Sequence, residues 1–221
     1  LTALRIARLF EEAGLLPGWL NVITCGGSVA NHLVEHPDVA MITFTGSPEV
    51  GWGIRARAAR KRVGLELGNN APVILEPSAD IATAAAKIAV GGYAFAGQSC
   101  ISVQRAYVHR SIHDEFVAAL AEKVAALKVG DPMDPATNVS ALISPKETER
   151  VAGWLDEAVA DGAGIVTGGD RGEHGVLAPT LVDGVTADMK ISHTEVFGPV
   201  VGVSSYDTFD EAVALANDTR Y

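Results

Sequence analysis

Residues 39–59 read VAMITFTGSPEVGWGIRARAA. Val39 to Phe44 is an almost continuous apolar run, the pattern of a strand buried on both faces. Thr45-Gly46-Ser47-Pro48 breaks it and turns into a helical stretch, Glu49 to Ala59. Arg60, Lys61 and Arg62 follow, placed where the negative end of a helix dipole attracts cations. Val63 to Leu67 then reads as the next strand. A strand, a glycine-bearing turn, a helix and a second strand are the working unit of an α/β sheet.

The same alternation extends both ways. Upstream, Leu1 to Phe10 presents a helical face that ends near Gly14 and Pro17. Leu20 to Thr24 is a β-type run broken at Gly26-Gly27, with Cys25 at its end as a small structural residue. Val29 to Glu35 is a short helix stopped by Pro37. Downstream, strands are expected at 72–75, 106–109, 165–167, 181–182 and 200–203, and helices at 79–90, 112–127, 146–161 and 209–217. The fold class is therefore α/β with mostly parallel pairing. There is no internal repeat and no linker rich in Pro, Gly or Ser. The best place for a boundary is the polar turn Gly68 to Asn70.

Composition removes several functions. Of 221 residues, 48% are hydrophobic and 20% charged, enough apolar material for a core. Mean hydropathy is +0.21, yet no apolar run reaches the length of a membrane-spanning helix. Seventeen basic residues against twenty-seven acidic give −10, a poor balance for nucleic acid or an anionic membrane. Cys25 and Cys100 cannot form a disulfide framework, so a reducing cytoplasm is the expected location. The helix beginning at residue 1 and the turn ending at Tyr221 suggest a piece cut from a longer chain.

Four stretches could carry chemistry. Gly46 and Ser47 stand at a helix start, where backbone N–H groups and a hydroxyl can meet an anion, or where Ser47 simply caps the helix. Cys100 follows Gly97-Gln98-Ser99, poor core formers that could expose a thiol and offer N–H groups to an oxyanion; a small buried cysteine is the other reading. Glu66 lies between Leu65 and Leu67. It is either a base in apolar surroundings or a solvent-facing residue on an edge strand. Glu195-Val-Phe197-Gly-Pro199 offers a hydroxyl acceptor beside an aromatic wall, or a loop whose phenylalanine enters the core. The six histidines form no metal-binding pattern, so no metal is expected. No serine-hydrolase elbow and no phosphate-binding lysine loop is present.

In this order, Phe44-Thr-Gly-Ser47, Leu65-Glu-Leu-Gly68, Gly97-Gln-Ser-Cys100 and Glu195-Val-Phe-Gly-Pro199 resemble the aldehyde dehydrogenase superfamily. So do the spacing of 34 positions from Glu66 to Cys100 and the opening Glu12-Ala-Gly-Leu-Leu-Pro-Gly18. The resemblance implies part of a Rossmann-type dinucleotide-binding domain over 1–68 and an incomplete α/β catalytic domain over 69–221. It implies that Cys100 attacks an aldehyde, that NAD or NADP takes the hydride, and that Glu66 activates water against the thioester. Gly46 and Ser47 become phosphate contacts. Leu67 and Gly68 become backbone contacts near the nicotinamide, Glu195 the ribose-hydroxyl acceptor and Phe197 the wall beside the ring. Tyr93, Phe95, Ser99 and Ile101 become candidate tunnel residues.

Family members that pass the acyl group to coenzyme A commonly lack this glutamate, so Glu66 favours a free acid as product. Asn69-Asn70 and Gln104-Arg105 suggest the relatives of lactaldehyde and non-phosphorylating glyceraldehyde-3-phosphate dehydrogenases. A full member is about twice this long, so the fragment alone is expected to have little activity and the full protein to be a homodimer or homotetramer. A non-catalytic member of the fold and a cofactor-independent cysteine hydrolase or thioesterase are the competing readings.

Overall fold

The structure is a computed structural model that describes residues 1–221. Its contacts divide into two units, Leu1–Leu67 and Gly68–Tyr221.

The first unit contains α1 (Thr2–Glu12), α2 (Gly27–Glu35), β1 (Met41–Thr45), α3 (Pro48–Arg57) and β2 (Arg62–Glu66). β1 and β2 pair in parallel, from Met41 opposite Arg62 to Thr45 opposite Glu66. The Ser47 side chain accepts the Val50 N–H at 3.4 Å, and Pro48 starts α3 without needing a donor. Glycine at 51 lets Leu67 lie directly on α3; a Cβ there would stand 2.4 Å from the leucine side chain.

Three expectations change here. Within this chain β1 is not covered on both faces: its residues alternate exposed and half-buried. Residues 20–24 form no strand, since no neighbouring strand offers them a ladder, and Cys25 is an exposed free thiol. The basic run after α3 serves another helix, for Lys61 Nζ donates to the carbonyls of Val34 (2.7 Å) and His36 (2.6 Å) at the end of α2.

The second unit runs β3 (Pro72–Leu75), α4 (Ile81–Tyr93), β4 (Arg105–His109), α5 (His113–Ala125), α6 (Pro145–Ala160), β5 (Gly164–Thr167), β6 (Thr180–Asp183), α7 (Lys190–His193), β7 (Val200–Tyr206) and α8 (Phe209–Asn217). The sheet order is β3-β4-β7-β6-β5, parallel throughout except for the edge pair β5–β6. The inner strands β4, β6 and β7 are almost wholly buried, and each carries a short apolar run, 106–108, 181–182 and 200–203. Ile88, Phe116, Leu120, Val151, Leu155, Leu181 and Val203 belong to the main core. Tyr206, Tyr107 and Ala212 form a smaller cluster.

No helix is long and apolar enough to cross a membrane.

Candidate active site

β3, β4 and β7 are adjacent and parallel, so the loops that enter them open at one end of the sheet. Residues 68–71 lead into β3, 98–104 into β4 and 194–199 into β7. Topology thus gathers Gly68, Cys100 and Glu195 from distant parts of the sequence.

The thiol loop is built under strain. Phe95, Ala96 and Gly97 take successive φ values of 53°, 56° and 68°. The first two lack glycine's freedom, at a cost of about 1 kcal/mol each or more. Several contacts hold this conformation. The Gln98 backbone and side-chain amides both donate to the Phe95 carbonyl, at 3.1 and 3.2 Å, while Gln98 Oε1 accepts the Ile143 N–H at 2.8 Å. Ser102 Oγ donates back to the carbonyls of Gly91 and Gly92 at the end of α4. Cys100 lies exposed on the turn, flanked in sequence by half-buried Ser99 and exposed Ile101. The reading of Cys100 as a buried core residue is therefore excluded.

Two contacts lock the loops together. Gly97 meets the second loop backbone to backbone: a Cβ at Gly97 would lie 2.0 Å from the Gly198 carbonyl oxygen. No L-residue fits there. Asn69 supplies the other link, its backbone N–H donating to Glu195 Oε1 at 3.1 Å and its side-chain amide to the Cys100 carbonyl. Gly68 leaves space for the same carboxylate; a Cβ would stand 2.1 Å from Glu195 Oε2. The resulting cleft is lined by Asn69, Gly97, Ser99, Gln104, Glu195 and Phe197, among others. Phe197 is held at φ 48° with its ring partly exposed, so it does not enter the core.

Buried polar groups support the cleft from below. Asn70 donates to the Ser192 carbonyl at 2.6 Å and accepts from the Thr219 hydroxyl at 2.8 Å. Its own carbonyl takes the Arg105 Nε hydrogen at 2.7 Å. Arg150 donates to the Val196 carbonyl at 2.8 Å and stacks over Trp154. The tunnel reading of Tyr93 is overturned. Its ring is buried and its hydroxyl, pushed up by burial, donates to the Thr180 carbonyl at 2.9 Å. Phe95 and Ile101, by contrast, are exposed, and Ser99 lines the cleft.

The remaining candidates lie in the first unit. The Gly46 N–H is already engaged by the Glu66 carbonyl at 3.0 Å, so it is not free to bind phosphate. Ser47 both caps α3 and keeps a hydroxyl hydrogen to donate. Glu66 ends β2 with its side chain exposed, so the apolar surroundings expected from Leu65 and Leu67 do not enclose it. Leu67 packs on α3. No group of three His, Cys, Asp or Glu side chains converges on a metal-sized site.

The sequence signals for Asn69, Asn70 and Gln104 were weak. Each is a polar amide at the foot of a buried strand, where an unpaired amide would be costly. That cost is the available clue, but apart from the Ala71 N–H on Asn69 Oδ1 their partners lie between 31 and 149 residues away.

A carboxylate and a partly exposed aromatic ring line one cleft of this α/β unit, and the loop that carries the exposed thiol borders it. Over residues 1–221 the chain matches the aldehyde dehydrogenase family, and it belongs to that family. It is 47% identical over 220 residues to a 3-sulfolactaldehyde dehydrogenase of Priestia aryabhattai, covering 99% of this chain and 46% of the relative. Among solved structures it resembles the NAD-dependent aldehyde dehydrogenase of Sinorhizobium meliloti, with a TM-score of 0.95 and 42% identity over 99% of this chain and 44% of the other. It also resembles the Mycobacterium tuberculosis aldehyde dehydrogenase complexed with NAD+, with a TM-score of 0.95 and 39% identity over all of this chain and 47% of the other. The chain spans about half the length of the relatives it matches.

Proposed function

We propose that the protein carrying this chain oxidises an aldehyde to its carboxylic acid with NAD or NADP, through a covalent intermediate on Cys100. The observation that carries the reading is the exposed Cys100 loop, tied through Asn69 to the carboxylate of Glu195. In this reading residues 1–68 are the later part of the cofactor domain and 69–221 most of the catalytic domain.

Cys100, as thiolate, attacks the aldehyde carbon and forms the C–S bond of a thiohemiacetal. The Cys100 backbone N–H makes no hydrogen bond within the fold and is available to the resulting oxyanion. The bound cofactor supplies the acceptor for the hydride that leaves this carbon, and a thioester on Cys100 remains. Glu66 takes a proton from water, which adds to the thioester carbonyl. Collapse expels the thiolate and releases the acid, restoring Cys100. Glu195 accepts the ribose hydroxyls, Phe197 flanks the nicotinamide, Leu67 and Gly68 face its amide, and Ser47 donates to a phosphate. What supports these contacts is that a carboxylate and a partly exposed ring stand together beside the thiol loop.

The likeness to a 3-sulfolactaldehyde dehydrogenase makes short hydroxyaldehydes the first substrates to try. A panel of lactaldehyde, 3-sulfolactaldehyde, glyceraldehyde 3-phosphate and octanal with each cofactor is expected to rank a hydroxyaldehyde first. Cys100→Ala is expected to abolish turnover, and retained turnover would refute the assignment. The 221 residues alone are expected to show little activity, since a relative holds about as much chain again. A homodimer or homotetramer in the cytoplasm completes the reading; light scattering of the full protein tests the assembly.

A further inference from the structure

Gln104 is buried at the foot of β4, and both ends of its amide act on one segment. Nε2 donates to the carbonyls of Ile191 (2.9 Å) and Thr194 (2.7 Å), and Oε1 accepts the Val196 N–H (2.7 Å). These bonds bracket Glu195 from both sides and none is to Glu195 itself. The backbone of Gln104 is fixed independently, for its carbonyl accepts the Gly202 N–H on β7 at 2.9 Å. Residues 195–198 lie outside α7 and β7, and the bonds from Gln104 act there beside two others, the Glu195 N–H donating to the Tyr221 hydroxyl at 3.0 Å and Arg150 donating to the Val196 carbonyl at 2.8 Å. A carboxylate that grips hydroxyls works only if its backbone is held within a fraction of an ångström.

We propose that Gln104 is a positioning residue for the cofactor site: it clamps the chain on either side of Glu195 so that the carboxylate meets the ribose hydroxyls. This rests on the reading of Glu195 given above. The strand that follows the Cys100 loop therefore also aligns the cofactor grip, and thiol and carboxylate share one anchor.

The test uses the full-length enzyme. Gln104→Met keeps the volume and removes every hydrogen bond of the amide. The expected result is a rise of about tenfold or more in KM for the cofactor, with kcat at saturating cofactor within about threefold and an unchanged rate of Cys100 alkylation by iodoacetamide. A role in folding alone would lower the melting temperature and leave that KM where it was, and that result would overturn the proposal. Hydrogen exchange of the Val196 amide in the unmutated enzyme without cofactor gives a second reading, one that does not depend on the variant folding. Strong protection is expected, and exchange at the rate of an open loop would also overturn the clamp. Glu195→Gln serves as the control. If it leaves the cofactor KM unchanged, the role given to Glu195 fails. If it raises KM while Gln104→Met does not, only the clamp fails.

Discussion

Gly68 lies directly against the Glu195 carboxylate. A methyl group at Gly68 would stand 2.1 Å from one carboxylate oxygen and 2.8 Å from the carboxyl carbon. The displaced group is the end of a flexible side chain, so the cost in stability is small, within about 1 kcal/mol. The cost in function is larger, because the carboxylate loses its place. Gly68→Ala is expected to raise the cofactor KM about tenfold while leaving the melting temperature nearly unchanged; steady-state kinetics and a thermal melt check both halves. At Gly97 the obstructing atom is backbone, which cannot swing away, and the same substitution there is expected to disrupt the loop itself. Cys100, Glu66 and Glu195 were legible as candidates because each is a reactive group in a recognisable local pattern. Asn69 and Gln104 were not, because an amide's role depends on partners that spacing along the chain does not show.

At the scale of elements, Arg105 shows how a central strand closes the unit. Its guanidinium is buried without a carboxylate. Instead it donates to the carbonyls of Asn70, Leu215 and Ala216 and to the Tyr107 hydroxyl. Leu215 and Ala216 lie in the last turn of α8, where a cation is favoured; the Leu215 carbonyl also takes the Asp218 N–H at 3.3 Å. Arg105→Met would leave these oxygens without their charged donor, at about 2 kcal/mol or more. Hydrogen exchange in α8 is expected to accelerate roughly 30-fold while exchange in α5 stays as it was. The elements themselves were largely visible in the sequence. β3 and α8 fall where their patterns put them, and the inner strands show as apolar runs. The misreadings have one origin: residues 20–24 have strand-like composition but no strand to pair with, and the apolar run of β1 lacks cover.

At the scale of the whole molecule, pH reports on how the second unit holds together. His113, at the start of α5, contacts Asp183 at the end of β6 through Nε2 (2.9 Å) and Asp114 through Nδ1 (2.9 Å). Burial opposes its charge, but the hydrogen bond to Asp114, the attraction of Asp183 and the bond to it outweigh that and raise its pKa above 6.5. A group whose pKa is raised on folding stabilises the fold fully below its unfolded value and loses that contribution as pH climbs through the folded value. Stability is therefore expected to fall as pH rises from about 6.5 through the raised folded value, and His113→Gln is expected to flatten that dependence in thermal melts.

The proposed chemistry turns on one sulfur atom, that of Cys100. Glu66→Gln enzyme mixed with a substrate aldehyde and cofactor, then quenched and analysed by peptide mass spectrometry, reads it directly. A burst of reduced cofactor near one equivalent per site is expected, with the acyl mass on the peptide that contains Cys100. A burst with no acyl group on Cys100, or with the acyl group on Cys25, would contradict it.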